Sequence, residues 1–177
     1  MAKKSKHPSQ EELRITQISL RQDKVVIEVE TLHGGEKVKS TMSCDSPPLP
    51  DFEKAFRKFG KLMCELMEFS DKWTEAHKLK KIEVKYEKDD GRLGCVATIF
   101  VQLSKFSSGS VTNSPYQRER VQGGGGGQAF MPEAMCELLK DLIVHARDYY
   151  NGERAQGTLL KSTDTDEEEN AEEGAED

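Results

Sequence analysis

The chain has 177 residues, with 35% hydrophobic and 33% charged residues, which fits one domain with tails. No apolar run approaches the roughly 20 residues that span a bilayer. The net charge of −6 is misleading, because nine acids follow Lys161 and leave 23 acids against 26 bases in residues 1–161. We therefore interpret residues 1–161 as slightly basic, and we expect residues 153–177 to form a disordered acidic tail.

Three strand patterns lead into a first helix. Residues 1–11 are polar and rich in lysine, so we expect a disordered basic arm. Apolar residues within 13–20, 25–31 and 38–42 then predict three β-strands, of which 25–31 is the clearest because β-branched residues dominate it. Three prolines just before Asp51 prevent a helix from beginning earlier.

The first helix is predicted from Asp51, where the apolar residues change to spacings of three and four. Gly60 lies inside it and weakens a helix by about 1 kcal/mol relative to alanine. Either packing compensates for this loss, or a neighbouring backbone approaches closely at Gly60. The apolar stripe consists of Phe52, Phe56, Phe59, Met63 and Leu66, and the opposite face carries Lys54, Arg57, Lys58 and Lys61.

The second half repeats this order with a longer loop. A strand is predicted from Leu79, where the second half begins, to Tyr86, because apolar and charged residues alternate from Lys81 onwards. A hairpin turn at Asp89-Asp90-Gly91 leads to a strand at 95–103, and a short strand at 110–113 follows. Residues 114–128 are predicted to be a loop, since they include five consecutive glycines. Pro132 lies near the start of a second helix that ends at Asn151-Gly152. Its apolar stripe consists of Met135, Leu138, Leu139, Leu142, Ala146 and Tyr149.

The two halves, 12–70 and 78–152, therefore have similar element orders, βββα and ββ(β)α. Either the chain contains an internal duplication, or two generic meander-plus-helix units occur by coincidence. In both cases we predict a single α+β domain over residues 12–152. It has a mostly antiparallel sheet of about six strands, with two helices packed on one face.

Sequence motifs for catalysis, cofactors or metals are absent. The glycine run lacks the Gly-Lys-Ser/Thr signature of a phosphate-binding loop. The four cysteines and four histidines show no metal-ligand spacing, and no histidine has a nucleophile at diagnostic spacing. We therefore expect a non-enzymatic protein without cofactor or metal, although active sites assembled in space leave no sequence signature.

Cations and aromatics in the second half suggest a nucleic-acid-binding surface. Such side chains on a sheet can hold phosphates and stack bases. The alternative is a solvated surface of mixed charge, because acids such as Glu83, Glu87 and Glu119 interleave with the bases. The candidates are Lys81, Lys85, Arg92, Lys105, Phe106, Tyr116, Arg118 and Arg120, and the basic helix face at Lys54, Arg57, Lys58 and Lys61 is a second possible footprint.

Three resemblances follow from these patterns. The repeated meander-plus-helix order resembles Whirly-type single-stranded nucleic-acid-binding proteins. The glycine-rich stretch and acidic tail resemble bacterial and phage single-stranded-DNA-binding proteins in outline, but the end Gly174-Ala175-Glu176-Asp177 lacks the apolar tip that docks partners in that class. The pattern over residues 13–154, including Pro50-Asp51-Phe52 and the closing Tyr150-Asn151-Gly152-Glu153-Arg154, is similar to small uncharacterised phage or prophage proteins.

The leading hypothesis is a phage-type protein that binds single-stranded nucleic acid, with the acidic tail as an electrostatic modulator. The alternative is a module that binds a protein or small molecule, such as an inhibitor of a host factor. The basic N-terminal residues are followed by no apolar segment typical of a secretory signal, so we expect a cytoplasmic location, which is the host cytoplasm if a phage encodes the protein. We expect no membrane association, and a dimer or larger oligomer is compatible with the sequence.

Overall fold

The computed structural model describes residues 13–21, 24–33, 36–88, 91–102, 109–120 and 130–155. None of the helices in these ranges is long and apolar enough to cross a bilayer. In chain order the described elements are β1 (Leu13–Leu20), β2 (Val25–His33), β3 (Glu36–Cys44), α1 (Pro50–Leu66), α2 (Asp71–Glu75), β4 (His77–Tyr86), β5 (Leu93–Gln102), β6 (Gly109–Asn113), β7 (Gln117–Arg118) and α3 (Glu133–Tyr150).

All seven described strands form one sheet with the order β3-β2-β1-β4-β5-β6, and β7 pairs with β5. Every pairing between these strands is antiparallel, including the central one between β1 and β4. The predicted α+β class with a mostly antiparallel sheet is therefore confirmed. The first strands of the two halves lie at the centre and their third strands lie outside, so the topology is symmetrical about the β1–β4 pair.

The core lies between one face of the sheet and the two long helices. Phe52, Phe56, Phe59 and Met63 of α1 are buried, as are the six residues predicted for the stripe of α3. The buried apolar residues of the sheet belong to the same cluster as these helical residues, so both helices pack on one face, as predicted. The sheet contributes Ile15, Ile18, Val25, Ile27, Val29, Leu79, Ile82, Val84, Leu93, Cys95, Ala97, Ile99 and Val101.

Both central strands contain a β-bulge at the position where apolar and polar residues stop alternating. The register with the neighbouring strand shifts around Thr16 in β1 and around Lys80 in β4. Ile15 and Ile18 are three residues apart rather than two, yet both are buried. The extra residue of each bulge restores the phase, so that the apolar residues on both sides of it face the helices.

Some elements differ from the predictions. The short helix α2 and the two-residue strand β7 were not predicted, and β4 begins at His77, two residues before the predicted start of the second half at Leu79. Neither α2 nor β7 is long enough to show a periodic pattern. Residues 153–155, predicted as tail, are described, and the Ala155 amide donates a hydrogen bond of 3.2 Å to the Pro47 carbonyl. The predicted arm, most of the tail, Asp89-Asp90 and the glycine run lie outside the described residues.

Gly60 marks a close approach between α1 and the sheet. A Cβ at this position would lie 2.8 Å from Nε2 of His77 and 3.0 Å from Cβ of Leu79. The Leu79 atom is fixed to the backbone of β4, so the helix or the strand would have to move. Of the two interpretations of Gly60 from the sequence, the structure supports the close approach.

Replacing Gly60 tests this contact. Gly60→Ala should destabilise the protein by up to about 2 kcal/mol, because overpacking costs about 1–3 kcal/mol and the gain in helix propensity offsets only about 1 kcal/mol of it. The free energy of unfolding in urea measures the change. Lys61→Ala, on the exposed side of α1, is the control and should stay within about 0.5 kcal/mol of the original chain. A Gly60→Ala protein that is more stable than the original would contradict the contact.

Candidate nucleic-acid interface

The second face of the sheet carries no described helix. Side chains alternate along a strand, so the residues between the buried ones point away from α1 and α3. The described residues therefore leave this surface uncovered, and we call it the open face. Its side chains include Lys37, Lys39, Gln17, Glu28, Lys78, Lys81, Glu83, Lys85, Val96, Thr98 and Phe100, as the strand register shows.

Strand β4 brings a row of lysines to the open face. Lys78 lies opposite Phe100, Lys81 opposite Thr98 and Lys85 opposite Gly94. The bulge adds Lys80, whose Nζ lies over the Phe100 ring. Lys81 forms an ion pair of 2.6 Å with Glu83, whereas Lys78, Lys80 and Lys85 are exposed. One strand thus supplies four ammonium groups, of which one is partly neutralised.

Tyr116 forms the first aromatic position on this face. A Cβ at Gly94 would overlap the hydroxyl and ring of Tyr116, so the ring lies directly against the glycine backbone. Lys85 Nζ lies 5.5 Å from the ring centroid, and the hydroxyl donates a hydrogen bond of 2.7 Å to Glu87. Burial, together with the Glu87 carboxylate, raises the pKa of Tyr116 to about 12. These contacts fix a neutral ring at the surface.

Phe100 forms the second aromatic position. Its ring lies against Gly109 of β6, where a Cβ would overlap it, and Lys80 Nζ is 5.2 Å from its centroid. Val111, opposite Phe100 on β6, is 63% exposed and extends the apolar surface. Gly94 and Phe100 are six residues apart on β5, so the two aromatic positions are separated by roughly 20 Å.

The open face carries acids on both halves of the sheet. Glu83 pairs with Lys81 and Glu87 accepts a hydrogen bond from Tyr116, beside the lysines of β4. Glu28 lies opposite Gln17, and Glu30 forms an ion pair of 2.8 Å with Lys37 on the β2–β3 side. The cations and aromatics are concentrated over β4, β5 and β6. We call this region the cation–aromatic strip, and define it as Lys78, Lys80, Lys81, Lys85, Phe100 and Tyr116.

The structure brings together only part of the predicted site. Lys81, Lys85 and Tyr116 belong to the cation–aromatic strip. Arg118 lies opposite Gly94 of β5 and therefore also on the open face, close enough for its charge to act on Tyr116. Its guanidinium lies over Phe130, at 5.4 Å from the ring centroid. Arg92 directly precedes β5 and Arg120 is exposed after β7. Lys105 and Phe106 lie outside the described residues.

Three members of the strip are absent from the predicted site, namely Lys78, Lys80 and Phe100. Phe100 could have been found, because Ala97, Ile99 and Val101 are predicted to share one face and Phe100 alternates with them. Lys78 precedes the alternating pattern from which the strand is predicted. Lys80 depends on the bulge, which the sequence alone does not locate.

The second predicted footprint, on α1, has cations but no exposed aromatic ring. Lys54, Arg57, Lys58 and Lys61 are exposed, and Arg57 forms an ion pair with Glu53. All three phenylalanines of α1 are buried in the core. This surface can attract phosphates, but it offers no ring on which a base could stack.

Other reactive groups do not form a site among the described residues. No cluster of three potential metal ligands occurs in the described part of the chain. Cys64, Cys95 and Cys136 are buried, and Cys44 is half-buried. Hydrogen bonds from Ser46 lower the pKa of the Cys44 thiol to about 7. His145 stacks on Phe52 with 5.9 Å between ring centroids, consistent with a packing role at the edge of the core.

The pKa of Tyr116 tests the geometry of the strip. Glu87→Gln should lower that pKa from about 12 towards 10, since an amide still accepts the hydrogen bond but carries no charge. A ¹³C NMR titration of the tyrosine Cζ resonances measures it, and Glu83→Gln, whose carboxylate pairs with Lys81, is the control. An unchanged pKa in the Glu87→Gln protein would show that Glu87 does not contact Tyr116.

The same pKa makes stability depend on pH. The folded protein holds the hydroxyl proton of Tyr116 more tightly than the unfolded chain does. The contribution of Tyr116 to stability is therefore complete below about pH 10 and is lost as the pH rises through about 12.

Comparison with known proteins adds no relative. No protein-family model, curated protein or solved structure matches the chain. The expected relationships to Whirly-type proteins and to phage proteins therefore stay predictions. A functional proposal rests on the geometry of the open face.

Proposed function

We propose that the protein binds single-stranded nucleic acid on the open face of its sheet, along the cation–aromatic strip. The observation that carries the proposal is the pair of aromatic rings, Phe100 and Tyr116, each seated on a glycine and each accompanied by a lysine. Buried aromatic residues would serve packing, whereas these two lie outside the core cluster and border solvent.

The strip has the two components that a single strand needs. Base stacking on an aromatic ring contributes about 1–3 kcal/mol per base, and it tolerates any sequence because every base has a π-face. Phosphates bind lysines through charge, with release of counterions. When a strand binds, the ammonium groups of Lys80 and Lys85 can move from the aromatic rings to phosphates. Bases can then stack on the rings in place of the ammonium groups. Paired bases in a duplex do not expose their faces to a flat sheet, so the strip favours single strands.

The acidic C-terminal segment supplies a means of regulation within this proposal. Residues 162–177 carry nine acids and no bases. A segment of this charge competes with phosphates for the same lysines. The proposal also places the protein in the cytoplasm, where single-stranded nucleic acid is accessible. A phage origin stays a prediction from the sequence.

Two substitutions in the strip test the proposal. Phe100→Ala should weaken binding of a labelled single-stranded oligonucleotide by about 5- to 150-fold, because one base can no longer stack. Lys80→Glu should weaken binding and reduce the slope of log affinity against log salt by about 0.7 for each phosphate that the protein no longer neutralises. Fluorescence anisotropy at several salt concentrations measures both effects.

Lys61→Glu on α1 is the matched control, since it makes the same charge change on the helix-covered side and should alter affinity little. Removal of residues 162–177 should tighten binding, and a duplex of the same sequence should compete poorly. The proposal would be refuted if the protein showed no salt-dependent affinity for single strands, even after removal of residues 162–177. A stronger effect of Lys61→Glu than of Lys80→Glu would move the site to α1.

A further inference from the structure

The outer edge of β3 is a second surface without a partner among the described residues. β3 pairs with β2 over nine residues on its inner side, and it is the end strand of the sheet. Six consecutive residues, from Glu36 to Thr41, are exposed. A long, regular edge strand presents backbone N–H and C=O groups that can pair with another strand.

We propose that two copies of the chain pair through their β3 strands, antiparallel and related by a twofold axis at Ser40. This dimer is independent of the nucleic-acid proposal, because it uses neither the strip nor a ligand. It joins two sheets into one continuous sheet, with all helices on one side and both open faces on the other.

The sequence of β3 is complementary to itself in this register. Val38 lies opposite Met42 of the second copy, and both are on the helix side, since they pair with Thr31 and Ile27 of β2. Val38 is 43% exposed in the single chain, so it gains an apolar neighbour. A shift by two residues in one direction would place Lys39 opposite Lys39 of the second copy, and like charges directly opposite each other destabilise a sheet. A shift by two residues in the other direction would place Ser40 opposite Met42, so that Val38 would lose its contact with Met42.

The lysines of β3 also have acceptable neighbours in this register. Lys37 lies opposite Ser43 of the second copy and Lys39 opposite Thr41, all on the open face. Lysines on an edge strand usually discourage pairing. Here their ammonium groups meet hydroxyl groups rather than other cations, and Lys37 already pairs with Glu30 at 2.8 Å.

Charge complementarity supports the same register. Glu36 lies opposite Cys44 of the second copy, on the helix side. In each chain the Arg154 guanidinium lies near this end of β3, with NH2 3.8 Å from the Met42 sulfur and its carbon 5.2 Å from the Tyr149 centroid. Arg154 Nε is buried without a hydrogen-bond partner among the described residues. Pairing would bring Glu36 of one copy beside Arg154 of the other, twice per dimer.

The dimer also determines how the two strips are arranged. Each strip lies over β4 and β5, on the far side of β1 and β2 from the shared edge. Seven strand spacings separate the two β4 strands, which corresponds to roughly 35 Å. Two strips at this separation on one surface could hold two segments of a long strand.

Disulfide trapping of the full chain tests the proposed register. Ser40→Cys should form a disulfide-linked dimer under mild oxidation, because residues opposite each other in antiparallel strands have Cα atoms about 4.5–5.5 Å apart, within the range of a disulfide. Ser43→Cys is the matched control, since the two copies of residue 43 would be six residues apart along the strand, roughly 20 Å. The unmodified chain, which retains Cys44, should not crosslink.

Light scattering after size-exclusion chromatography should give the mass of two chains without nucleic acid. Glu36→Arg should weaken the dimer by roughly tenfold, since it removes two ion pairs. Combining Glu36→Arg with Arg154→Glu should restore it, which a purely structural role of either residue would not do.

A monomeric chain, or a dimer that Ser43→Cys traps and Ser40→Cys does not, would overturn the proposal. Lys80→Glu should leave the mass unchanged, which separates this result from the fate of the nucleic-acid proposal.

Discussion

The structure depends on burial of the sheet from one side only. α1 and α3 pack against the same face, and the apolar residues of the long strands converge on a single core, with Met42 and Cys44 of β3 partly buried against it. A strand alternates between its two faces, so covering one face exposes the other along the whole sheet. The surface that we propose for binding is therefore a direct consequence of core formation. The bulges at Thr16 and Lys80 preserve this separation where strict alternation fails.

Much of the fold could be predicted because helices and strands that are buried on one side have apolar residues at regular spacing. The stripes of both long helices and the strand 25–31 follow from spacing alone, as does the antiparallel class. Elements that bury little could not be predicted. α2 has no buried residue and β7 pairs over two residues, so neither leaves a periodic pattern. The internal symmetry is visible in the topology, while its origin by duplication stays a prediction.

The candidate site was harder to predict, because it depends on positions across strands. Lys81 and Lys85 follow from alternation with Ile82 and Val84. Tyr116 is suggested by its residue type, but its seat on Gly94 depends on how the segment after β6 folds back onto β5. Arg118 lies opposite Gly94 on the same face, with its guanidinium over Phe130, and this position depends on the pairing of β7 with β5. Phe100 alternates with Ala97, Ile99 and Val101, so the sequence pattern was sufficient to place it on the other face, whereas its contacts with Lys80 and Gly109 required the structure.

The central claim is that the open face, rather than the helical side, contacts single-stranded nucleic acid. Mapping amide chemical shifts in a ¹H–¹⁵N NMR titration with a short single-stranded oligonucleotide tests it most directly. The account predicts the largest changes in β4 and β5, around Lys80, Thr98 and Phe100, with little change along α1. Changes concentrated at Lys54 and Lys61, or no saturable change at any residue, would contradict it.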